Sequence, residues 1–299
     1  MSELEGKNII VTGANSGLGF EAAKIFAEKR AHVVMACRDL ENAEKAKSEI
    51  EDEVGDSSLV VLELDLASIE SVKRFAENYR SGYDELHILC NNAGVMAIPR
   101  QETEDGFEKQ FGVNHLGHFA LTSLLFDLLE ETDGETRIVN QSSAIHENGE
   151  IDFEDLMWEN EYDKWGAYAR SKLSNVLFTY ELDRRIDSED VKAVACHPGY
   201  ASTNLQYRGP EEEGSRLKYF MMKAANTVLA QSAEKGSLPM LYAATSEDIE
   251  GGEYIGPGGF RQMRGYPEKQ ESAPQSYDEE TAEKLWQVSE ELTGVDFEV

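Results

Sequence analysis

The sequence predicts an α/β fold, a doubly wound parallel sheet with helices on both faces. Short apolar runs without polar alternation recur along the chain, as is typical of strands buried on both faces, and a helical pattern follows each of them. Strands that alternate with helices form parallel sheets with right-handed crossovers. Because the chain has no Pro/Gly/Ser-rich linker and no internal repeat, we expect one domain over residues 1–299.

The order of these patterns predicts where each element lies. Strands are expected at 7–12, 31–37, 59–64, 86–90, 136–140 and 191–196. Helices are expected near 18–30, 39–53, 68–80, 104–131, 166–186, 231–245 and 278–292. Two segments interrupt the alternation: 144–165, which contains Trp158, Tyr162 and Trp165, and 202–230, which contains an amphipathic stretch. Long excursions are often lids, so 202–230 is expected to cover a substrate, and about 275–299 to form a helical extension.

Composition excludes several classes of protein. Hydrophobic residues make up 40% of the 299 positions, enough to form a core. No apolar run reaches the roughly 18 residues of a membrane span, and the first residues lack a signal-peptide pattern. Cys37, Cys90 and Cys196 each close an apolar run. We interpret them as buried reduced thiols and expect a cytoplasmic protein.

The chain is strongly acidic. It has 58 Asp and Glu against 28 Lys and Arg, a net charge of −30, which disfavours nucleic-acid and anionic-membrane partners. The acids are spread along the whole chain, which excludes an acidic tail. A basic protein partner would require one concentrated acidic face. Adaptation to high salt explains the excess best, because dense surface charge keeps a protein soluble and is screened when salt is abundant.

A glycine-rich turn joins the first strand to the first helix, in the sequence TGANSGLG from Thr12. Glycines allow a tight turn and close approach to a pyrophosphate, and the helix start offers N–H groups and a positive dipole end. This position in a strand–turn–helix unit predicts a Rossmann-type dinucleotide site. The predicted contacts are Gly13, Asn15, Ser16, Gly17, Leu18 and Gly19.

The residues at the end of the second strand indicate whether NAD or NADP binds. An acid there bonds the ribose of NAD, whereas an Arg accommodates the 2′-phosphate of NADP. Cys37 ends this strand and Arg38 follows, which favours NADP. Asp39 is either the cap of the next helix or, if the register differs, the ribose ligand of an NAD enzyme.

Other polar residues follow later strands. Asp65 and Leu66 end the third strand, and Asn92, Ala93 and Gly94 follow the fourth. Ligands bind at the carboxyl ends of such strands, so all five are predicted cofactor contacts. Asp65 is also a candidate cap for the helix that starts near Ser68.

Tyr168 and Lys172 lie four residues apart at the start of a predicted helix, and therefore on one face. A phenol with its usual pKa of about 10 is a poor base. A neighbouring ammonium and an oxidised nicotinamide would both lower that pKa, which lets Tyr168 exchange a proton with a substrate oxygen. Ser143 ends the fifth strand and can orient the same oxygen.

Together these motifs resemble the classical-type short-chain dehydrogenase/reductase superfamily. The matching segments are TGANSGLG, NNAG, VNHLGHF, IVNQSS, YARSK and HPGYAST. The sequence ACRD after the second strand, the spacing from Ser143 to Tyr168 and the segment SKLSNVLF are closer to its retinol-dehydrogenase-like branch.

The resemblance implies further roles. Asn114 would hold a water that links Lys172 to solvent, and Lys172 would also bond the nicotinamide ribose. Ser143 is favoured over Ser142 as the substrate-orienting serine. The segment with Pro198, Gly199 and Thr203 would touch the nicotinamide amide. Family members pair through the helices expected here at 104–131 and 166–186, so a homodimer or homotetramer is expected.

The sequence therefore predicts an NADP-dependent oxidoreductase acting on a hydrophobic alcohol, aldehyde or ketone. The alternatives are an NAD-dependent dehydrogenase of the same family and a non-catalytic dinucleotide sensor. A light-dependent protochlorophyllide reductase is disfavoured, because Ser174 stands where that family has Cys.

The histidines are interpreted separately. His115 and His118 lack a nearby third ligand, so no metal is expected. His146 either lines the substrate pocket or caps a loop.

Overall fold

The computed structural model describes residues 4–200 and 231–299, so the lid predicted at 202–230, with Thr203, lies outside the described residues. The strands are β1 (Asn8–Thr12), β2 (His32–Cys37), β3 (Ser58–Glu63), β4 (Ile88–Asn91), β5 (Thr136–Gln141), β6 (Val191–Cys196), β7 (Tyr254–Pro257) and β8 (Pro267–Gln270). The helices are α1 (Gly17–Glu28), α2 (Leu40–Val54), α3 (Ile69–Gly82), α4 (Lys109–Phe111), α5 (Gly117–Glu131), α6 (Lys164–Arg185), α7 (Ala233–Thr245) and α8 (Glu279–Thr293).

In the described ranges these strands form one sheet in the order β3-β2-β1-β4-β5-β6-β7-β8. Pairing is parallel from β3 through β7, which confirms the predicted parallel sheet. β8 is antiparallel to β7, and neither strand was predicted from the sequence. Each has only four residues, YIGP and PEKQ, too short and too rich in proline and glycine to show a strand pattern.

Helices cover both faces of the sheet, as predicted. Neighbouring residues of one strand enter different cores: Ile10 packs on one face, and Ile9 on the other. The first core includes Phe75 (α3), Leu125 (α5), Leu177 (α6) and Trp286 (α8). The second includes Phe26 (α1), Ile50 (α2) and Leu241 (α7). The three cysteines are buried and free, which confirms their interpretation as reduced thiols.

The C-terminal helix α8 lies across α5 and α6. The Trp286 ring is 5.2 Å from that of Phe119 on α5 and 5.8 Å from that of Phe178 on α6. The homodimer or homotetramer stays a prediction. In the two described ranges no helix is both long and apolar enough to cross a membrane.

Candidate active site

A cavity of about 520 Å³ opens along the carboxyl ends of the strands, beside the point between β1 and β4 where the strand order reverses. This is where open α/β sheets bind ligands. Most of the predicted site residues line it: Gly13, Asn15, Ser16, Gly17, Leu18, Arg38, Asp65, Leu66, Asn92, Ala93, Gly94, Ser143, Tyr168, Lys172, Pro198 and Gly199. Gly19 and Asn114 lie behind this wall, in contact with residues that form it.

The glycine loop is built so that only glycine fits. Gly13 has φ +67° and Gly17 has φ +58°, a backbone region that side chains disfavour. A Cβ at Gly19 would lie 2.5 Å from the Gly13 carbonyl oxygen and from Asn92 Nδ2. The Ser16 side chain makes no cap bond to the first turn of α1. The loop therefore presents bare backbone and a helix N-terminus, which fits a pyrophosphate.

The loops after β1 and β4 are tied together through Thr12. Its Oγ1 accepts the backbone N–H groups of Asn92 and Ala93, each at 2.9 Å. His118 reaches the same hydroxyl, with Nε2 2.9 Å from Thr12 Oγ1, and its Nδ1 is 3.0 Å from the Asn114 carbonyl oxygen. The phosphate loop, the NNAG loop and the helical segment of Asn114 thus form one hydrogen-bonded unit.

Asp39 caps α2. Its carboxylate accepts the backbone N–H of Asn42 at 3.0 Å and that residue's side-chain amide at 2.6 Å. The cap interpretation is therefore confirmed. Arg38 lines the cavity and its side chain is 57% exposed, with Nη1 4.0 Å from Asp65 Oδ1.

Asp65 does not cap α3, so that alternative was wrong. The cap is Ser68, whose hydroxyl accepts the backbone N–H of Ser71. Asp65 Oδ1 instead accepts the backbone N–H of Ala67 at 3.0 Å. The Asp65 carboxylate thus shapes the tight turn after β3 and faces the cavity beside Arg38.

Tyr168, Ser143 and Lys172 meet at the other end of the cavity. The Ser143 side chain hydrogen-bonds the Tyr168 phenol, whereas the Ser142 hydroxyl is buried and donates to the Lys172 carbonyl at 2.8 Å. The two serines thus have different hydrogen-bond partners, although both line the cavity, and the role of Ser143 as the substrate-orienting serine stays a prediction. Lys172 Nζ donates to the Gln141 carbonyl at 2.9 Å and lies 5.9 Å from the Tyr168 ring centroid.

Burial governs the charge states of this pair. It raises the pKa of Tyr168 to about 12, against the opposing effect of the Ser143 hydrogen bond. It lowers the pKa of Lys172 to about 8. The protein alone therefore holds Tyr168 as a neutral phenol. At the phenol it is the hydrogen bond with Ser143, and not the Lys172 ammonium, that opposes the effect of burial on the Tyr168 pKa.

Asn114 lies in a π-helical segment, Gly112–Leu116, between α4 and α5. Its Oδ1 accepts the Val95 backbone N–H at 2.8 Å, and its Nδ2 donates to Ser171 Oγ at 2.9 Å. Asn114 is fully buried, and a Cβ at Gly94 would lie 3.0 Å from its Oδ1 and 3.7 Å from Lys172 Nζ. The widened turn thus brings Asn114 against the catalytic end of the cavity.

Neither His115 nor His146 faces the cavity. His115, three residues before His118, points away from the site, and its Nε2 is 2.9 Å from Ser289 Oγ on α8. His146 is not among the described residues that line the cavity. It is buried behind Ser143, with Nδ1 2.8 Å from the Ser143 carbonyl oxygen.

Of the three aromatic residues noted at 144–165, one lines the cavity. Trp165 lines the cavity together with Ile145 and Met96. Trp158 instead stacks on the Arg170 guanidinium at 4.5 Å, and the Tyr162 hydroxyl donates to Glu108 at 3.0 Å.

Sequence reasoning missed several lining residues. They are Cys37, Lys109, Val113, Tyr200, Arg261, Gln262 and Met263, among others. Those at 261–263 follow β7. Had YIGP been recognised as a parallel strand, its carboxyl end would have predicted that the loop reaches the site.

Comparisons with known proteins agree with this geometry. The family model for short chain dehydrogenase matches residues 7–214. The chain is 40% identical to retinol dehydrogenase 14 from Mus musculus, covering 98% of this chain and 87% of that protein. It is 40% identical to retinol dehydrogenase 13 from Homo sapiens, over 98% and 86% of the two chains. The crystal structure of an uncharacterized protein from Mycobacterium paratuberculosis superposes with a TM-score of 0.81 at 37% identity, covering 100% of this chain and 97% of that one.

Proposed function

The chain belongs to the short-chain dehydrogenase family and is an NAD(P)-dependent oxidoreductase, and from that premise we propose that it uses NADP to interconvert a hydrophobic alcohol and its aldehyde or ketone. One observation carries the proposal. Tyr168, Ser143 and Lys172 line the same cavity as the glycine loop. A dinucleotide whose phosphates rest on that loop therefore extends toward a proton donor.

In this cavity a bound nicotinamide supplies or accepts the hydride. For reduction, the Tyr168 hydroxyl gives its proton to the carbonyl oxygen while the carbonyl carbon receives the hydride. The Ser143 hydroxyl donates a hydrogen bond to the same oxygen and stabilises the charge that develops there. Lys172, held by the Gln141 carbonyl, favours the phenolate that remains.

The charge state of Tyr168 bears on both directions of the reaction. With a pKa of about 12, Tyr168 is protonated at neutral pH, which is the state that reduction requires. Alcohol oxidation requires the phenolate. In that direction the positive charges of Lys172 and of a bound oxidised nicotinamide would favour the Tyr168 phenolate, which would accept the proton of the alcohol.

NADP is favoured over NAD by Arg38 and Asp39. The Asp39 carboxylate accepts two hydrogen bonds from Asn42 as a helix cap, which occupies part of its capacity to accept hydrogen bonds from a ribose, although Asp39 also lines the cavity. The Arg38 side chain lines the cavity, where a guanidinium can hold a 2′-phosphate through two parallel hydrogen bonds.

The substrate wall favours an apolar carbonyl compound. Ile145, Trp165, Met96 and Met263 line the cavity near the catalytic residues, and apolar lining with few polar groups is typical of small-molecule sites. The mammalian relatives carry the name retinol dehydrogenase. A retinoid is therefore the first candidate within this class.

The test is cofactor turnover. In molar KCl, purified protein is mixed with NADPH or NADH and a panel of hydrophobic aldehydes and ketones that includes retinal, and cofactor absorbance is followed. We expect oxidation of NADPH that depends on the carbonyl compound. Tight NADPH binding by calorimetry without turnover on any panel member would instead support a dinucleotide sensor.

A further inference from the structure

Two buried histidines stand directly behind the two loops that border the reacting end of the cavity. His146 is 1% exposed and follows Ser143 by three residues. Its Nδ1 lies 2.8 Å from the Ser143 carbonyl oxygen, and its Nε2 lies 3.0 Å from the backbone nitrogen of Ala273. A backbone N–H can only donate, so Nε2 accepts. The ring proton must therefore be on Nδ1 and is donated to Ser143.

His197 occupies the corresponding place before Pro198 and Gly199. Its Nδ1 accepts the Gly199 backbone N–H at 3.3 Å, and its Nε2 lies 2.9 Å from Gln270 Oε1. The Gln270 amide nitrogen donates to the Pro257 carbonyl at 3.0 Å, which identifies Oε1 as the atom facing His197. The His197 proton is therefore on Nε2, the opposite tautomer from His146.

Both histidines contact the segment of the chain from Tyr254 to Ala273. The Tyr254 ring lies between them, 5.1 Å from the His146 ring and stacked at 5.3 Å on the His197 ring. Gly256 makes room for this arrangement, because a Cβ there would lie 1.9 Å from His197 Nε2. Gln275 Nε2 also donates to the Glu147 carbonyl at 2.9 Å, which fastens the turn after Ser143.

We propose that His146 and His197 are positioning residues, through which the segment Gln270–Gln275 holds the Ser143 turn and the Pro198–Gly199 turn around the reacting atoms. The proposal rests on the proposed function, in which Ser143 orients the substrate oxygen. Each ring spans from a loop of the site to the C-terminal segment, and each must be neutral to do so. Burial lowers the pKa of both, that of His197 to about 4, which is consistent with neutral rings at physiological pH.

Two substitutions of His146 distinguish a role in positioning the Ser143 turn from a role in filling space. In His146→Asn the side-chain amide can occupy the place of Nδ1–H and still donate to the Ser143 carbonyl. In His146→Leu the space is filled and the hydrogen bond is lost. A misplacement near 1 Å can cost about 100-fold in rate, so we expect His146→Leu to lower kcat about 10- to 100-fold with KM for NADPH unchanged. His146→Asn keeps the contact to the Ser143 carbonyl and loses the acceptor for the Ala273 N–H, so we expect its kcat to fall between those of wild type and His146→Leu.

His87→Leu is the matched control. His87 is buried, and its Nδ1 accepts the backbone N–H of Asn8 at 3.1 Å, but it directly precedes β4, at the amino ends of the strands and opposite the cavity. It should lose thermal stability and keep kcat. A packing role predicts that His146→Leu is at least as active as His146→Asn, and that order would overturn the proposal. Loss of kcat in His87→Leu equal to that in His146→Leu would overturn it as well.

A second measurement does not depend on turnover. Imidazole ¹⁵N spectra of the full chain at pH 7 report the tautomer of each histidine, assigned by single substitution. We expect Nδ1–H at His146 and Nε2–H at His197. If no substrate is turned over but these tautomers are found, the proposed function fails while the coupling of both loops to the C-terminal segment stands. The opposite tautomer, or a charged ring, at either position would overturn the coupling itself.

Discussion

The cofactor side and the reaction side of the cavity are built by different means. On the cofactor side, between β1 and β4, backbone atoms make the surface, and Gly13 and Gly19 leave no room for a side chain. On the reaction side, beyond β5, buried side chains make it, and burial moves the pKa of Tyr168 to about 12 and that of Lys172 to about 8. The first side should therefore be sensitive to added atoms. The second should be sensitive to lost polar atoms and to protonation.

The largest effect is expected from Tyr168→Phe. The substitution keeps the ring and removes the transferable proton, so kcat should fall about 10²- to 10⁴-fold with little change in NADPH affinity. Tyr79→Phe is the control, because Tyr79 is equally buried and its hydroxyl donates to the Glu85 carbonyl at 2.9 Å. It should cost roughly 1 kcal/mol of stability and no activity. Turnover near the wild-type rate in Tyr168→Phe would rule out the assigned proton donor.

Gly19→Ala tests the cofactor side with a single added carbon. The new Cβ would lie 2.5 Å from the Gly13 carbonyl oxygen, and overpacking of this kind costs about 1–3 kcal/mol of stability. Because the loop must shift to relieve the contact, we expect dinucleotide affinity to fall by about tenfold or more. Gly82→Ala adds the same atom where nothing lies within 4 Å, so affinity should not change there. Isothermal titration with NADPH measures both. Equal affinities would mean that the loop does not hold the pyrophosphate.

Arg38→Ala should weaken NADPH and spare NADH. A lost charge-assisted bidentate contact costs about 1.5–3 kcal/mol, and because Arg38 is 57% exposed we expect the lower end, roughly tenfold in affinity. Cys37→Asp should go further and shift preference to NADH, since it adds repulsion against the phosphate and a ribose acceptor. If the wild-type protein binds NADH as tightly as NADPH, Arg38 does not hold the 2′-phosphate. Asp39 would then be the candidate ribose ligand.

Acid should destabilise the protein through three buried histidines, His115, His118 and His197. Burial lowers the pKa of His115 to about 3 and those of His118 and His197 to about 4. Their unfolded values lie near 6.5, so the unfolded chain binds more protons below that pH. The stability that the neutral rings contribute above about pH 6.5 is therefore lost as pH falls toward 4.

Denaturant unfolding at pH 7 and pH 5, in molar KCl to screen the carboxylates, measures this loss. A lower free energy of unfolding is expected at pH 5. His115→Asn should show a smaller difference between the two pH values, because one titrating group is gone. Equal stability at both pH values would mean that these rings are not held neutral in the fold.

Salt should act on both sides alike, because the acidic residues are spread through the chain. With a net charge of −30, self-repulsion opposes the compact state and is screened by added ions. Thermal midpoints should rise from dilute buffer to molar KCl. A flat dependence would exclude high-salt adaptation and favour a basic partner for a concentrated acidic face.

The sequence predicted the elements whose signal is local. The apolar runs and helical patterns gave β1 to β6 and the flanking helices to within a few residues, apart from the π-helical interruption at Gly112–Leu116. The predicted site residues followed from them, because parallel strands place their carboxyl ends at one edge. A motif spread from Gly13 to Gly199 therefore converged on one cavity without any knowledge of side-chain contacts.

The tertiary structure decided what depends on distant partners. The Ala273 backbone N–H reaches His146 across 127 positions in the chain, and nothing near His146 indicates that it holds Ser143 rather than lining the pocket. β7 and β8 are too short to carry a pattern of their own, and each depends on a partner distant in sequence or added late in the fold: β7 pairs with β6, and β8 pairs with β7. Burial likewise depends on the assembled fold. The identity of Tyr168 was readable from its motif, but its protonation state is set by the surroundings that remove it from water.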